Sequence, residues 1–205
     1  MQTSHYLFAS ILGFLAGSLM FSLWLPKLLR GVDVRADAPD ENPGVYNVFA
    51  KCGRMLGIAC LLCDLLKGFL PVYLAAQTLD VLDIRFALVL ASPVLGHCYS
   101  PFLRFQGGKG ICTSFGVLLG LLPALVTVAL LVFWYLLFSL VVVIQPHSLR
   151  TIATFLLLAV SACFFAPKAV AWGCALFSAA VIHKNLRRPI PQEERMVSFL
   201  KWRAK

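Results

Sequence analysis

Charge is scarce in this sequence. Only 13% of its 205 residues are charged, and just 9 are Asp or Glu, whereas a soluble domain carries about 25% charged residues. Disorder requires low hydrophobicity, which a chain that is 60% hydrophobic does not have. The same composition excludes a soluble globule, and the mean hydropathy of +0.85 points to an integral membrane protein. A disulfide framework is also missing. The 7 Cys are odd in number and lie mostly in apolar runs, where they read as small buried hydrophobes. Cys60-x-x-Cys63 has no second ligand pair to complete a zinc or redox centre. No basic n-region precedes the first apolar run and no Ala-x-Ala site follows it, so that run is expected to be a retained span, not a signal peptide. Internal repeats and low-complexity tracts are absent too.

What fills the chain is apolar sequence. Runs cover 6–25, 55–79, 86–95, 111–144, 151–165 and 169–182, with Asp64 and Lys67 inside the second. The fourth run is too long for one span of ~20 residues, and Pro123 predicts a break within it. The expected fold is an all-α integral membrane protein, one domain over 1–205 with seven transmembrane helices. Some runs are short, so tilting or extension into loops is expected. Glycine pairs at Gly13/Gly17, Gly53/Gly57 and Gly116/Gly120 have the spacing that lets helices approach closely.

Seven spans place the termini on opposite sides. One side then carries Lys27, Arg30, Arg35, Lys51, Arg54, Arg104, Lys109, Arg150 and the seven bases from Lys184 to Lys205, fifteen of the 18. The other side has Arg85 and Lys168. The positive-inside rule puts the N-terminus outside and the C-terminus in the cytoplasm. This layout accounts for the net charge of +9 without nucleic acid as a partner.

Three polar stretches fall on the basic side: 35–54, 96–113 and 183–194. In the second, Gly107, Gly108 and Gly110 surround Lys109 just before an apolar helix. Glycines let successive N–H groups point into one concavity, the helix N-terminus adds free amides, and the lysine adds a full charge. Together these suit a phosphate at the membrane surface. The alternative is a glycine turn with a snorkelling lysine. Asp64 and Lys67 lie three apart on one helix face, where they can pair. Intramembrane charges face the protein interior and serve either function or docking of the helix. Asn42-Pro43-Gly44-Val45-Tyr46-Asn47 reads as a turn with two amides, and His183 sits where the last span meets the basic tail.

These segments resemble a known family. Gly96-His97, followed by Phe105-Gln106-Gly107-Gly108-Lys109-Gly110 and Thr113, is similar to the second motif of the bacterial acyl-phosphate-dependent glycerol-3-phosphate acyltransferases. Residues 31–35, 42–48 and 64–68 resemble the first motif and the helix after it, and Asn185-Leu186-Arg187-Arg188 with Glu193 resembles the third. The resemblance implies a small multi-pass enzyme of the bacterial inner membrane with its active face in the cytoplasm. It would move an acyl group from acyl phosphate to the 1-hydroxyl of sn-glycerol 3-phosphate, making lysophosphatidic acid for phospholipid synthesis. It implies a monomer, with acyl phosphate and glycerol 3-phosphate as its small-molecule partners, and no acyl-CoA, metal or cofactor. Carried onto this chain, it implies catalytic roles for Lys109, His183 and Asn185. Substrate would be held by Asn42, Gly44, Asn47, Lys51, Lys67, His97, Gly107, Gly108, Gly110, Thr113 and Arg188.

The chain departs from the family pattern in places. The family's Gly-Ser-Gly-Asn is Pro39-Asp40-Glu41-Asn42 here, and a Thr and an Arg of the first motif are Tyr46 and Ala50. The histidine of the third motif stands three residues before the Asn, whereas His183 stands two before Asn185. One residue is ~100° around a helix. An altered enzyme and a catalytically impaired paralogue that binds phosphorylated lipid precursors are the two expectations.

Overall fold

The structure, a computed structural model, describes residues 2–36, 38, 42–187 and 196–199. Nine helices occur among them, α1 (Gln2–Ser18), α2 (Phe21–Arg30), α3 (Val45–Cys52), α4 (Arg54–Ala76), α5 (Phe86–Cys98), α6 (Ile111–Leu119), α7 (Val126–Leu136), α8 (His147–Phe165) and α9 (Lys168–Leu186). Five stretches are long and apolar enough to cross a membrane: Gln2–Arg30, Arg54–Ala76, Phe86–Leu103, His147–Phe165 and Lys168–Leu186. The protein is therefore a multi-pass membrane protein. The expected break near Pro123 is present, because α6 ends at Leu119 and α7 starts at Val126. The resulting pieces are shorter than the other spans, and α7 continues through a π-helical turn over Leu137–Val141.

Three features differ from the sequence expectation. The first span is broken at Leu19–Met20, because α1 and α2 are separate helices. Residues 147–150, expected in a polar loop, form the first turn of α8. Pro146 precedes that turn with φ −75°, a backbone preset for a helix start, and Arg150 Nε donates to the Ile144 carbonyl at 3.2 Å. The fold is also not wholly helical. Strands β1 (Val142–Gln145) and β2 (Met196–Phe199) pair antiparallel, with Val142 opposite Phe199. Both segments are short and rich in Val, Ile and Phe, the residue types that favour pairing.

Packing follows the glycines. A Cβ on Gly17 would strike the Pro93 carbonyl, and one on Gly96 the Phe14 carbonyl, so α1 and α5 touch backbone to backbone. Gly116 lies against the Leu65 carbonyl and Gly120 against Phe69 and Val72, which brings α6 onto α4. Small residues permit such approach where lipid offers no hydrophobic drive between helices. Gly53 is different: at φ +80° it forms the bend between α3 and α4, a conformation glycine adopts without a Cβ penalty.

The core has two parts. The larger joins α4, α5, α6, α8 and α9 around Phe86, Leu90, Phe155 and Phe177. The smaller joins α2, α3 and the start of α4 around Met20, Val34, Val48 and Cys60. Asp64 and Lys67 tie α4 to the break in the first span. Lys67 Nζ lies 2.8 Å from Asp64 Oδ1, with both side chains 2% exposed. The same ammonium donates to the Leu19 carbonyl at 2.5 Å, and Ser22 Oγ donates to Asp64 Oδ2 at 2.6 Å. The break frees carbonyls that a continuous helix would use, and Lys67 satisfies one of them. At one end of the bundle, Tyr6 donates to the Asp80 carbonyl at 3.2 Å and Arg85 to Thr3 Oγ1 at 2.8 Å. In the loop after α2, Asp33 pairs with Arg35 at 2.8 Å, and the Arg35 hydrogen bond holds the Asp33 carboxyl down to about 2.

Candidate active site

The glycine loop is built from α5 outward. Ser100 Oγ donates to the Ser18 carbonyl at 2.7 Å, pinning the end of α5 to α1. A 3₁₀ turn at Pro101–Leu103 follows, then Arg104 and Phe105 at φ 50° and 62°. Left-handed backbone at two consecutive non-glycine residues is strained, and it persists only where its surroundings over-determine it. Here the Phe105 N–H donates to the Ser100 carbonyl at 2.9 Å, and Lys184 Nζ donates to the Phe105 carbonyl at 3.3 Å. The chain then doubles back on α5. The Gly107 N–H donates to the Cys98 carbonyl at 3.2 Å and the Gly108 N–H to the His97 carbonyl at 3.0 Å. A Cβ on Gly107 would strike the His97 carbonyl, and one on Gly108 the His97 imidazole. Gly110, at φ +80°, turns the chain into α6.

The first amides of α6 have no partner inside the helix and carry the positive end of its dipole. They open on a cavity of about 190 Å³. Lys109, Gly110, Ile111 and Cys112 form one wall, and Asn42, Gly44 and Tyr46 another. Asp64 of α4, His97 of α5 and His147 of α8 complete it. Four segments distant in sequence, the 42–46 stretch, α4, α5 and α8, thus converge on the start of α6. A cation, helix-end amides and a side-chain amide around one small space make an anion site beside polar groups able to orient a hydroxyl.

The expected site residues divide into groups. Asn42, Gly44, His97, Lys109 and Gly110 line the cavity together. Gly107 and Gly108 shape the loop behind it. Asn47 is buried and donates through Nδ2 to the Asn42 carbonyl at 2.8 Å, so it fixes the Asn42 turn. Thr113 is fully buried beneath Gly68, and its hydroxyl has no hydrogen-bond partner among the described residues. Asn185 is 2% exposed. Its Nδ2 donates to the Val181 carbonyl at 2.8 Å, while Oδ1 has no hydrogen-bond partner among the described residues. Lys67 is engaged by Asp64 and Leu19, below the cavity wall that Asp64 forms. Lys51 is exposed on α3 and is not among the cavity walls. His183 is exposed, with Nδ1 2.6 Å from the Tyr99 hydroxyl, and it does not line the cavity either. Arg188, like Asp40, Glu41 and Glu193, lies outside the described residues.

His147 was missed by sequence reasoning. Its only sequence signal is a polar residue after Pro146 at the start of an apolar run, which many interfacial histidines share. Tyr99 and Lys184 were missed as well. They hold the loop from outside, with Lys184 Nζ 5.0 Å from the Tyr99 ring centroid.

Comparison with known proteins agrees with this geometry. The sequence profile of the family described as glycerol-3-phosphate acyltransferase matches residues 7–191. A glycerol-3-phosphate acyltransferase of Myxococcus xanthus is 47% identical over 124 residues, which is 60% of this chain and 64% of that protein, so the match spans less than two thirds of the relative's length. Two crystal structures of PlsY, an integral membrane glycerol 3-phosphate acyltransferase, share the fold. Its glycerol 3-phosphate form is 28% identical with a TM-score of 0.75, covering 87% of each chain. Its lysophosphatidic acid form is 27% identical with a TM-score of 0.72, covering 88% of each. The profile match extends over most of the sequence and includes every wall of the cavity, and the chain belongs to the glycerol-3-phosphate acyltransferase family.

Proposed function

We propose that the protein acylates sn-glycerol 3-phosphate with acyl phosphate as the donor. The 1-hydroxyl oxygen attacks the acyl carbon, the bond from the acyl carbon to the phosphate oxygen breaks, and phosphate leaves. The hydroxyl proton passes to a substrate phosphate, and lysophosphatidic acid is the product. The observation that carries this reading is the placement of Lys109 and the α6 N-terminus in one cavity with Asn42. Both substrates are phosphate anions, and such an arrangement stabilises phosphate charge. Lys109 and the amides at the start of α6 hold phosphate in this reading, with Gly107 and Gly108 shaping the loop that presents them. Asn42 orients the acceptor, and buried Asn185 keeps an acceptor oxygen in reserve. Thr113 and Asn47 support the loop and the turn.

In the same reading α6 and α7 complete seven spans, with the N-terminus outside and the cavity open to the cytoplasm of a bacterial inner membrane. The whole chain acts as one domain and as a monomer. A second reading, a relative with impaired catalysis that binds phosphorylated lipid precursors, draws on one observation. Ala50 stands in place of a cation, and the neighbouring Lys51 is exposed away from the cavity walls.

Purified protein in lipid discs, given acyl phosphate and glycerol 3-phosphate, is expected to release lysophosphatidic acid and phosphate. Lys109→Ala is expected to lower kcat/KM by about 100-fold or more. Absence of product, while a standard family member works beside it, would favour the second reading.

A further inference from the structure

Three histidines are candidates for the role of an imidazole in this site, and the structure distinguishes them. His183 stands one residue nearer to Asn185 than the family pattern places its histidine, a shift of ~100° around α9. Its ring is turned toward Tyr99. The ring stacks on Tyr99 with an interplanar angle of 28° and its Nδ1 lies 2.6 Å from the Tyr99 hydroxyl. His183 and His147 are both exposed residues, so cavity lining and not exposure divides them. His97 reaches the cavity from α5 with its ring over Gly108 and its backbone carbonyl taking the Gly108 N–H. His147 lines the same cavity from a different helix, in company with Lys109 and Asn42.

The position of His147 is also favourable for an anion. It is the first residue of α8, which has 19 residues, so the positive dipole end of a second long helix adjoins the cavity there. A second observation points to a ligand in this space. His97, another wall of the cavity, is 5% exposed and its Nδ1 has no hydrogen-bond partner among the described residues. Pairing of β1 with β2 immediately before Pro146 holds the approach to α8.

We propose that His147 is a substrate-contacting residue of this protein and supplies, from α8, the imidazole that the third motif would otherwise supply from α9. This rests on the reading of the function given above. The chemistry of the site assigns the ligand: a phosphorylated polyol, whose phosphate lies between Lys109 and the start of α8 and whose hydroxyl is within reach of the imidazole. His183 is then a positioning residue, which together with Tyr99 and Lys184 holds the strained Arg104–Phe105 segment.

The test compares His147→Ala, His147→Asn and His183→Ala in full-length protein in lipid discs. Calorimetric binding of glycerol 3-phosphate and steady-state kinetics are both measured. His147→Ala and His147→Asn are expected to weaken binding and raise KM for glycerol 3-phosphate at least tenfold, with thermal unfolding close to that of the parent. The loss from His183→Ala is expected to be at least threefold smaller and to fall on kcat more than on KM. Equal losses at the two positions, or a larger loss at His183, overturn the proposal. So does binding by His147→Asn within twofold of the parent. If the parent binds glycerol 3-phosphate but does not turn it over, the catalytic reading fails and the binding arm alone decides on His147. If the parent neither binds nor turns it over, both fall.

Discussion

At the scale of single residues, the loop is governed by what its glycines exclude. Gly107 and Gly108 look equivalent in the sequence, yet their neighbours differ in how far they can yield. A Cβ on Gly107 meets a backbone carbonyl, whereas one on Gly108 meets the movable imidazole of His97. Gly107→Ala is therefore expected to cost ~1–3 kcal/mol of stability as an overpacked site. Gly108→Ala should unfold close to the parent temperature but lose activity, because it displaces a wall of the cavity. Thermal unfolding in detergent, set against kcat/KM, separates the two. The glycine cluster and its lysine were legible in the sequence because backbone conformation and charge are properties of the residues themselves. His147 was not, since its value comes from the cavity it faces, and no local pattern records that. His183 shows the converse. Its residue type matched a motif, while its helical phase turned it toward Tyr99.

At the scale of elements, the Asp64–Lys67 pair joins three helices. The i, i+3 spacing disclosed the pairing, because both residues belong to one helix and share a face. It did not disclose that the ammonium would also satisfy the Leu19 carbonyl at a break between α1 and α2. That break has no proline of its own, and Pro26 sits inside α2. Removing one member leaves a buried charge, so Lys67→Met is expected to destabilise the protein by ~3–5 kcal/mol. The double variant Asp64→Asn with Lys67→Met leaves no unpaired charge and should recover much of that loss. Equilibrium unfolding in micelles measures both, and a double variant no more stable than Lys67→Met would contradict an ion pair as the main tie. The glycine pairs behave as their spacing implied at Gly13/Gly17 and Gly116/Gly120, where helices pack closely: Gly17, Gly116 and Gly120 face backbone atoms and Gly13 the Ser92 and Pro93 side chains. Gly53 and Gly57 share the spacing but do other work: the first bends the chain at φ +80° and the second packs against Phe49.

At the scale of the whole molecule, scarcity of charge sets the orientation. With fifteen of 18 bases on one side, the proposed topology leads to a labelling experiment. In a background without native cysteines, Ser4→Cys should react with an impermeant maleimide on intact cells. Ser198→Cys, on β2, should react only after the membrane is opened. Labelling of both from one side would refute an odd number of crossings. Polar side chains inside the bundle bond both within a helix, as Ser10 does to Tyr6 and Ser161 to Leu157, and between elements, as Ser22 does to Asp64 and Trp134 to Ser161.

Local chemistry alone was enough to establish a multi-pass membrane protein, its glycine-lysine loop and a paired intramembrane charge. Hydropathy, glycine backbone freedom and helical phase act over a few residues and need no partner. Convergence needed the folded chain. The cavity draws on the turn before α3 and on α4, α5, α6 and α8, and only their packing decides which polar residues share a space. His147 lines that space and His183 does not, a difference that depends on how α8, which starts after Pro146, and α9, which starts after Pro167, are packed. Close contact through glycine then fixes where each face points.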